Sequence, residues 1–320
     1  MCQRCTDTPC NRCLDTVHYL AQFAGAAFQQ LTGLACRGVP SSELLWQQRC
    51  VLTSQDKPLV VALSRSGETS ETLWAVEAMR ARGSDVLAIG CYADSPVGRA
   101  ATYMLELPEG REQSYAQTRS FASMLLAVQM TAALIAEDRT LAADLITLPD
   151  LADDLIARVE PLAQRWGRDE TLKRMTFLGS GPLYGLANEA TVKMKEMSLQ
   201  QAEGYHFLEF RHGPMSLVDG EHLVVGLLSE SMLIQERAVL DDLAARGARV
   251  IAVANSADGV VGYDETCVLG TPVVETARAV LYLPFVQLLA YHRAIARGLD
   301  PDRPRNVSMA ITLDRSQTGP

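Results

Sequence analysis

The sequence predicts an α/β protein built of two doubly wound parallel-sheet domains related by internal duplication. Three observations carry this. Short apolar runs of strand length alternate with longer segments of helical periodicity along the chain. The run Leu59-Val-Val-Ala-Leu63 breaks at once into hydroxyls and one glycine, and a helical pattern follows. The chain also repeats itself. Val60-Val61-x-Leu63 lines up with Val224-Val225-x-Leu227 at a shift of 164 residues, and without a gap Ala81-Arg82-Gly83 then meets Ala245-Arg246-Gly247 and Pro108 meets Pro272. Two copies of strand–helix–strand–helix units call for two wound sheets, not one long one.

Taken in order, residues 19–34 read as an apolar helix ended by Gly33, and 40–51 as an amphipathic segment. Residues 59–63 are a buried parallel strand after Pro58. The helix from about residue 71 to 82 ends at Gly83; strands follow at 85–90 and 102–107, the latter stopped by Pro108. A long apolar helix covers about 115–136. The acidic, helical stretch 137–168 suits a connector. The second half restarts with a strand at 175–178, Gly179-Ser180-Gly181 and a helix at about 184–201. Strands at 223–228, 250–254 and 266–269 precede an apolar helix at 274–297 and a tail. The division expected is 1–15 as an atypical Cys-rich start, 16–150 as the first domain, 151–168 as a linker helix, 169–298 as the second domain and 299–320 as the tail.

The repeat also predicts a defect. Before its helix the second copy has residues 175–181; the first has 9–15, with no apolar strand and no glycine loop. A domain lacking its first strand would have a gap in the middle of its sheet, so residues 1–15 read as a misassigned start.

With 320 residues, 48% of them hydrophobic and 21% charged, the chain is long enough for two cores. The apolar stretch 279–291 contains Pro284 and Gln287 and is too short to cross a bilayer, so no membrane is expected as a partner. No cleavable signal pattern opens the chain, and a cytoplasmic location is the default. A net charge of −9 with no block of Lys or Arg argues against nucleic acid. Cys2, Cys5, Cys10 and Cys13 are spaced C-x2-C-x4-C-x2-C, a superficial metal knuckle. Nothing around them offers a strand or helix to hold such a site, and neither metal nor cofactor is expected. Cys36, Cys50, Cys91 and Cys267 fit small buried apolar roles.

The hydroxyls Ser64, Ser66, Thr69, Ser70 and Thr72, with Gly67, converge where a strand ends and a helix begins. Unpaired N–H donors and the positive end of the helix dipole there suit a phosphate. The second copy has Glu230-Ser231-Met232-Leu233 at this place, which implies one anion site per chain. Only four of the 29 basic residues are lysines, and two of them, Lys193 and Lys195, stand together. Lys can lose its proton where Arg cannot, so a chemical role is suggested. Glu189, Lys193 and Glu196, at i, i+4 and i+7, share one helix face. A solvated ladder would explain that spacing too, but Ala190, Val192, Met194 and Met197 leave little room for an exposed helix. Downstream, Arg211-His212-Gly213-Pro214 lies in a stretch without clear periodicity.

Together, Ser64-Arg-Ser66-Gly67-Glu68-Thr69, Gln117-Thr118-Arg119-Ser120-Phe121, Lys193-Met-Lys195-Glu196 and Arg211-His212-Gly213-Pro214 resemble the tandem sugar isomerase (SIS) domain family. That family includes the isomerase half of glucosamine-6-phosphate synthases and the two-domain phosphosugar isomerases and deaminases. The likeness runs from about residue 16 to the end. It implies flavodoxin-like domains and a homodimeric enzyme that interconverts aldose and ketose forms of a hexose or amino-hexose 6-phosphate, in some members with loss of ammonia. It also implies that Ser64, Ser66, Gly67 and Thr69 hold the phosphate, that Gln117 and Thr118 line the same pocket, and that Lys193 and Glu189 lie by the substrate. Glu196 would shuttle the proton between C1 and C2. His212 would open the sugar ring, reaching the neighbouring subunit's site. Two departures stand out. Met309 occupies the place of the synthases' imine-forming lysine, and Val17 and His18 stand near a missing glycine loop. With no glutaminase domain in the sequence, glutamine-dependent synthesis is not expected. The other reading is a sugar-phosphate sensor without catalysis.

Overall fold

The computed structural model describes residues 11–15 and 18–317. The chain divides into two compact units: one of Met1–Gln113, Gln117–Asp138 and Ser308–Pro320, the other of Ser114–Ala116 and Arg139–Val307.

In unit 1 the elements run β1 (Asn11–Asp15), α1 (His18–Thr32), β2 (Cys36–Pro40), α2 (Ser41–Trp46), α3 (Gln48–Val51), β3 (Leu59–Ser64), α4 (Ser70–Ala81), β4 (Val86–Gly90), α5 (Pro96–Ala100), β5 (Tyr103–Glu106) and α6 (Arg119–Ile135). The five strands are parallel in the order β2-β1-β3-β4-β5, a doubly wound sheet whose switch point lies between β1 and β3. Helices α1 and α6 pack on each other, and α2, α4 and α5 form a second group. One core gathers Val60, Ala62, Val76, Met79, Val86 and Ala88; each Val or Met side chain among them is worth about 1.5–3 kcal/mol on leaving water.

The expected gap is not there. Asn11–Asp15 is the central strand, paired in parallel with β2 on one side and β3 on the other. At the shift of 164 it stands where the second copy has residues 175–179. Asn-Arg-Cys-Leu-Asp carries no apolar run, so the pairing on both edges, not local pattern, makes it a strand. Cys13 lies in this strand; Cys2, Cys5 and Cys10 fall outside the described residues, as does Val17. Of the four later cysteines, Cys91 and Cys267 are buried, but Cys36 is only half-buried and Cys50 is exposed.

Unit 2 runs α7 (Arg139–Gly167), β6 (Arg174–Gly179), α8 (Leu183–Ser198), β7 (Ala202–His206), α9 (Phe207–Phe210), β8 (His222–Leu227), α10 (Leu233–Ala244), β9 (Arg249–Ala254), β10 (Glu265–Val268) and α11 (Leu283–Ala296). Its sheet, β10-β9-β8-β6-β7, is again parallel and repeats the order of the first. Of residues 151–168, expected to link, 151–167 form the second part of the 29-residue helix α7. That helix runs through Pro149 and Pro161 and buries Leu141, Leu145, Leu148, Leu155 and Val159 as one stripe. Helix α11 and the 3-10 turn before it make a stretch, Arg278–Ala296, whose length and composition would allow a membrane crossing, unlike the shorter run read from sequence. It packs on α7 and α8, with 67% of its most apolar window buried, as a core helix does.

Strands β2 and β7 were not expected. Both are edge strands and both carry a glycine under a helix. A Cβ at Gly38 would lie 2.2 Å from Ala21 O of α1, and one at Gly204 would lie 2.3 Å from Asn188 Oδ1 of α8. Glycine lets the helix approach the backbone there, and weakens the strand signal by doing so.

Candidate active site

In unit 1 the turn from β3 to α4 is held by its own hydroxyls. Ser64 Oγ accepts from Gly67 N at 3.0 Å and Ser66 Oγ from Glu68 N at 3.3 Å. Gly67 has φ +64°, and a Cβ there would meet Ser95 Oγ at 2.0 Å, so the turn requires glycine. Thr69 is the N-cap of α4, yet its side chain makes no capping bond. Ser64 and Gly67 are buried; Ser66 and Thr69 are partly open. Short hydroxyl side chains and a helix N-terminus thus share one turn at the carboxyl end of a central strand, where doubly wound sheets take ligands.

Gln117 and Thr118 precede α6. The Thr118 hydroxyl is engaged from within the chain: it donates to Glu112 Oε2 at 3.1 Å, and Thr118 N, Arg119 N and Ser120 N donate to the same carboxylate at 3.1–3.3 Å. Ser120 Oγ–H donates to it as well, and more weakly to Gln117 Oε1 at 3.4 Å. Glu112 therefore fills the anion-seeking end of α6. The sequence reading missed it, although an acidic residue shortly before a long helix is a signal of capping. It also missed Arg65, which is buried in the turn, with Nη1 3.9 Å from Glu112 Oε1 and Nη2 donating to Met309 O at 3.2 Å.

In unit 2, helix α8 holds Glu189, Lys193 and Glu196 together. Lys193 Nζ lies 3.3 Å from Glu189 Oε1 and 3.2 Å from Glu196 Oε2. The Lys193 and Glu189 side chains are 3% and 4% exposed, Glu196 29%. This is no solvated ladder. Burial alone would push the ammonium's pKa down; the pull of Glu189 and then Glu196, with hydrogen bonds to both, reverses that and raises it. Lys193 is thus a held cation, and Glu196 is the carboxylate of the cluster that solvent and ligands can reach. The helix ends at Leu199, whose φ of +53° turns the chain and whose N–H donates to Lys195 O.

His212 is exposed beyond α9, on a loop pinned to α10 by Arg211, whose Nη2 donates to Ala238 O at 2.8 Å and Asp242 Oδ2 at 2.5 Å. The turn after β8 differs from that after β3. Ser229 N and Oγ donate to Glu236 at 2.7 and 3.1 Å, and Glu230 N donates to Glu275 Oε1 at 2.6 Å. Its donors serve the chain's own carboxylates, and burial raises the Glu236 pKa. Among the described residues, no three His, Cys, Asp or Glu side chains gather as metal ligands would.

The sequence profile of the SIS domain family matches residues 16–134 and 171–297. The chain belongs to this family. Among curated relatives of this SIS chain, a glutamine–fructose-6-phosphate aminotransferase [isomerizing] of Pseudomonas aeruginosa is 29% identical over 93% of the chain and 50% of the relative. One of Bradyrhizobium diazoefficiens is 30% identical over 98% and 52%. The SIS chain thus spans about half the length of the curated relatives it matches. Of solved structures, a glucosamine-6-phosphate deaminase from Thermotoga maritima gives a TM-score of 0.80 at 24% identity, covering 95% of this chain and 91% of that one. The tagatose-6-phosphate ketose/aldose isomerase from Escherichia coli gives 0.77 at 24%, covering 93% and 86%. At that identity the likeness speaks for the fold.

Proposed function

We propose that this SIS protein is a phosphosugar isomerase, interconverting the aldose and ketose forms of a hexose or amino-hexose 6-phosphate. The observation that carries the proposal is the lysine enclosed between two carboxylates on α8, one of them reachable. Aldose–ketose exchange needs one base that removes a proton from a carbon next to a carbonyl and returns it to the neighbouring carbon. Glu196 has the chemistry for that. The enediolate formed in between gathers charge on oxygen, and the Lys193 ammonium is a fixed cation for it. Being held protonated, Lys193 serves as an electrostatic group and not as an imine-forming amine. Glu189 keeps it charged in a buried place. Ser64, Ser66, Gly67 and Thr69 take the phosphate, with Gln117 and Thr118 beside them. His212 assists ring opening, in a homodimer from the neighbouring subunit. Where the substrate is an amino sugar, the same enolisation places the nitrogen for loss as ammonia.

The test is a panel of hexose and hexosamine 6-phosphates, with sugar form and ammonia followed together for the wild type and Glu196→Gln. Conversion by the wild type, lost in the variant while binding persists, supports the proposal. Binding without conversion by the wild type would make the protein a sugar-phosphate sensor instead.

A further inference from the structure

The last described stretch of the chain returns to unit 1 and brackets the turn between β3 and α4. At the front of the turn, the Arg65 guanidinium donates to Met309 O at 3.2 Å. At its back, Ser70 N donates to Ile311 O at 3.1 Å, and Leu313 N donates to Ser70 Oγ at 2.9 Å. Further along α4, the Arg315 guanidinium lies 5.3 Å from the centre of the Trp74 ring and pairs with Glu77 at 3.5 Å. The backbone of 309–313 therefore follows the turn from one end to the other. It satisfies a helix N-terminal N–H with a carbonyl, a neutral partner that leaves the positive end of the helix available for a charged ligand.

Arg65 is the residue that makes this more than a docked tail. It is 3% exposed, and its two Nη atoms reach in different directions, Nη2 to the tail and Nη1 toward Glu112. Glu112 in turn gathers the first N–H groups of α6, the segment that carries Gln117 and Thr118. One guanidinium thus connects three segments far apart in sequence: the hydroxyl turn, the cap of α6 and the tail. The planar fork of Arg suits this, since its donors are fixed relative to one another and reach two partners at once. A Lys would offer a single compact ammonium in place of the planar fork, without two nitrogens set apart to meet the tail and Glu112 separately.

We infer that Arg65 is a positioning residue of the phosphate clamp: it holds the hydroxyl turn in its binding shape by tying it to residues 309–313 and to Glu112, so that a docked tail is part of the clamp. This rests on the reading of the turn as the phosphate site. Arg65 shapes the donors through the segments it ties together.

The experiment uses the full chain with inorganic phosphate as the probe, following amide exchange of peptides covering 64–72 and 309–316 together with phosphate affinity, for the wild type, Arg65→Gln and Arg65→Lys. In the wild type, phosphate slows exchange in both peptides at once. In Arg65→Gln the tail peptide exchanges faster without ligand, phosphate binds about tenfold more weakly, as the loss of a charge-assisted bond predicts, and peptides from β8 and β9 keep wild-type exchange. Arg65→Lys falls between the two. A chain ending at Val307 weakens phosphate to the same extent as Arg65→Gln, and combining the two changes adds little. Phosphate held equally by the wild type and Arg65→Gln, or a tail whose exchange ignores the substitution, overturns this inference alone. A wild type that ignores phosphate overturns the phosphate reading of the turn, and this inference with it.

Discussion

Lys193 Nζ and Glu196 Oε2 lie 3.2 Å apart on one helix, yet the lysine side chain is 3% exposed and the glutamate 29%. The pair is asymmetric: the cation is enclosed and the carboxylate faces outward. The second carboxylate, Glu189, is enclosed with the lysine, at 3.3 Å. The two charged groups therefore differ in what their removal does.

Lys193→Met leaves Glu189 buried without its cation and is expected to cost about 3–5 kcal/mol of stability, as the loss of one partner of a buried pair does. Glu196→Gln leaves the Lys193–Glu189 pair intact and should shift stability by no more than about 1 kcal/mol, while turnover falls by about 10²–10⁴. Urea unfolding beside kinetics separates the two. Equal unfolding midpoints for both variants would refute the asymmetry.

Gly67→Ala places a Cβ at φ +64° and into Ser95 Oγ. We expect a loss of about 1–3 kcal/mol from the strained backbone, with weaker phosphate binding. Pairing it with Ser95→Ala should recover only part, because the hydroxyl is removed but Ser95 Cβ, 2.5 Å from the added atom, and the dihedral both remain. Full recovery in the double variant would show that contact alone requires the glycine.

The glycines under the two helices should not be equivalent. At Gly38 the obstacle is backbone, Ala21 O, which cannot swing away; at Gly204 it is the Asn188 side-chain oxygen, which can. Gly38→Ala should therefore lower the unfolding midpoint clearly more than Gly204→Ala, with overpacking costs of about 1–3 kcal/mol at the former. The reverse order in thermal melts would contradict the packing described.

The buried Glu236 should make stability depend on pH. Burial raises its folded pKa above the usual 4.5, so the folded state keeps the proton longer than the unfolded one. Its contribution is full below the unfolded value and is lost as pH rises through the folded one. Relative to Glu236→Gln, the wild type should lose stability as pH climbs from about 4.5 and then level off. A difference between the two that is flat with pH, in urea titrations, would rule this out.

Much of this was legible because buried parallel strands read as unbroken apolar runs, as β3, β4, β8 and β9 do, and because caps and glycines end the helices between them. Strand β1 was not, since Asn11–Asp15 is polar and owes its state to partners on both sides. Strands β2 and β7 hid behind their glycines. At the candidate site, the hydroxyls of 64–69 and the spacing of 189, 193 and 196 stand in short windows of sequence. The ties from Arg65 to Met309 and from Leu313 to Ser70 span 244 and 243 positions, beyond the reach of any local pattern. That Glu189 and Lys193 are buried likewise depends on neighbours that the helix itself does not supply.

A chain folded twice on one plan possesses two turns able to attract a negative group. In the second turn that group is a side chain, Glu236, covalently present at every concentration of ligand. A ligand in solution would have to displace a tenant attached to its own backbone, so on the proposed reading each polypeptide takes one sugar phosphate, at the first turn.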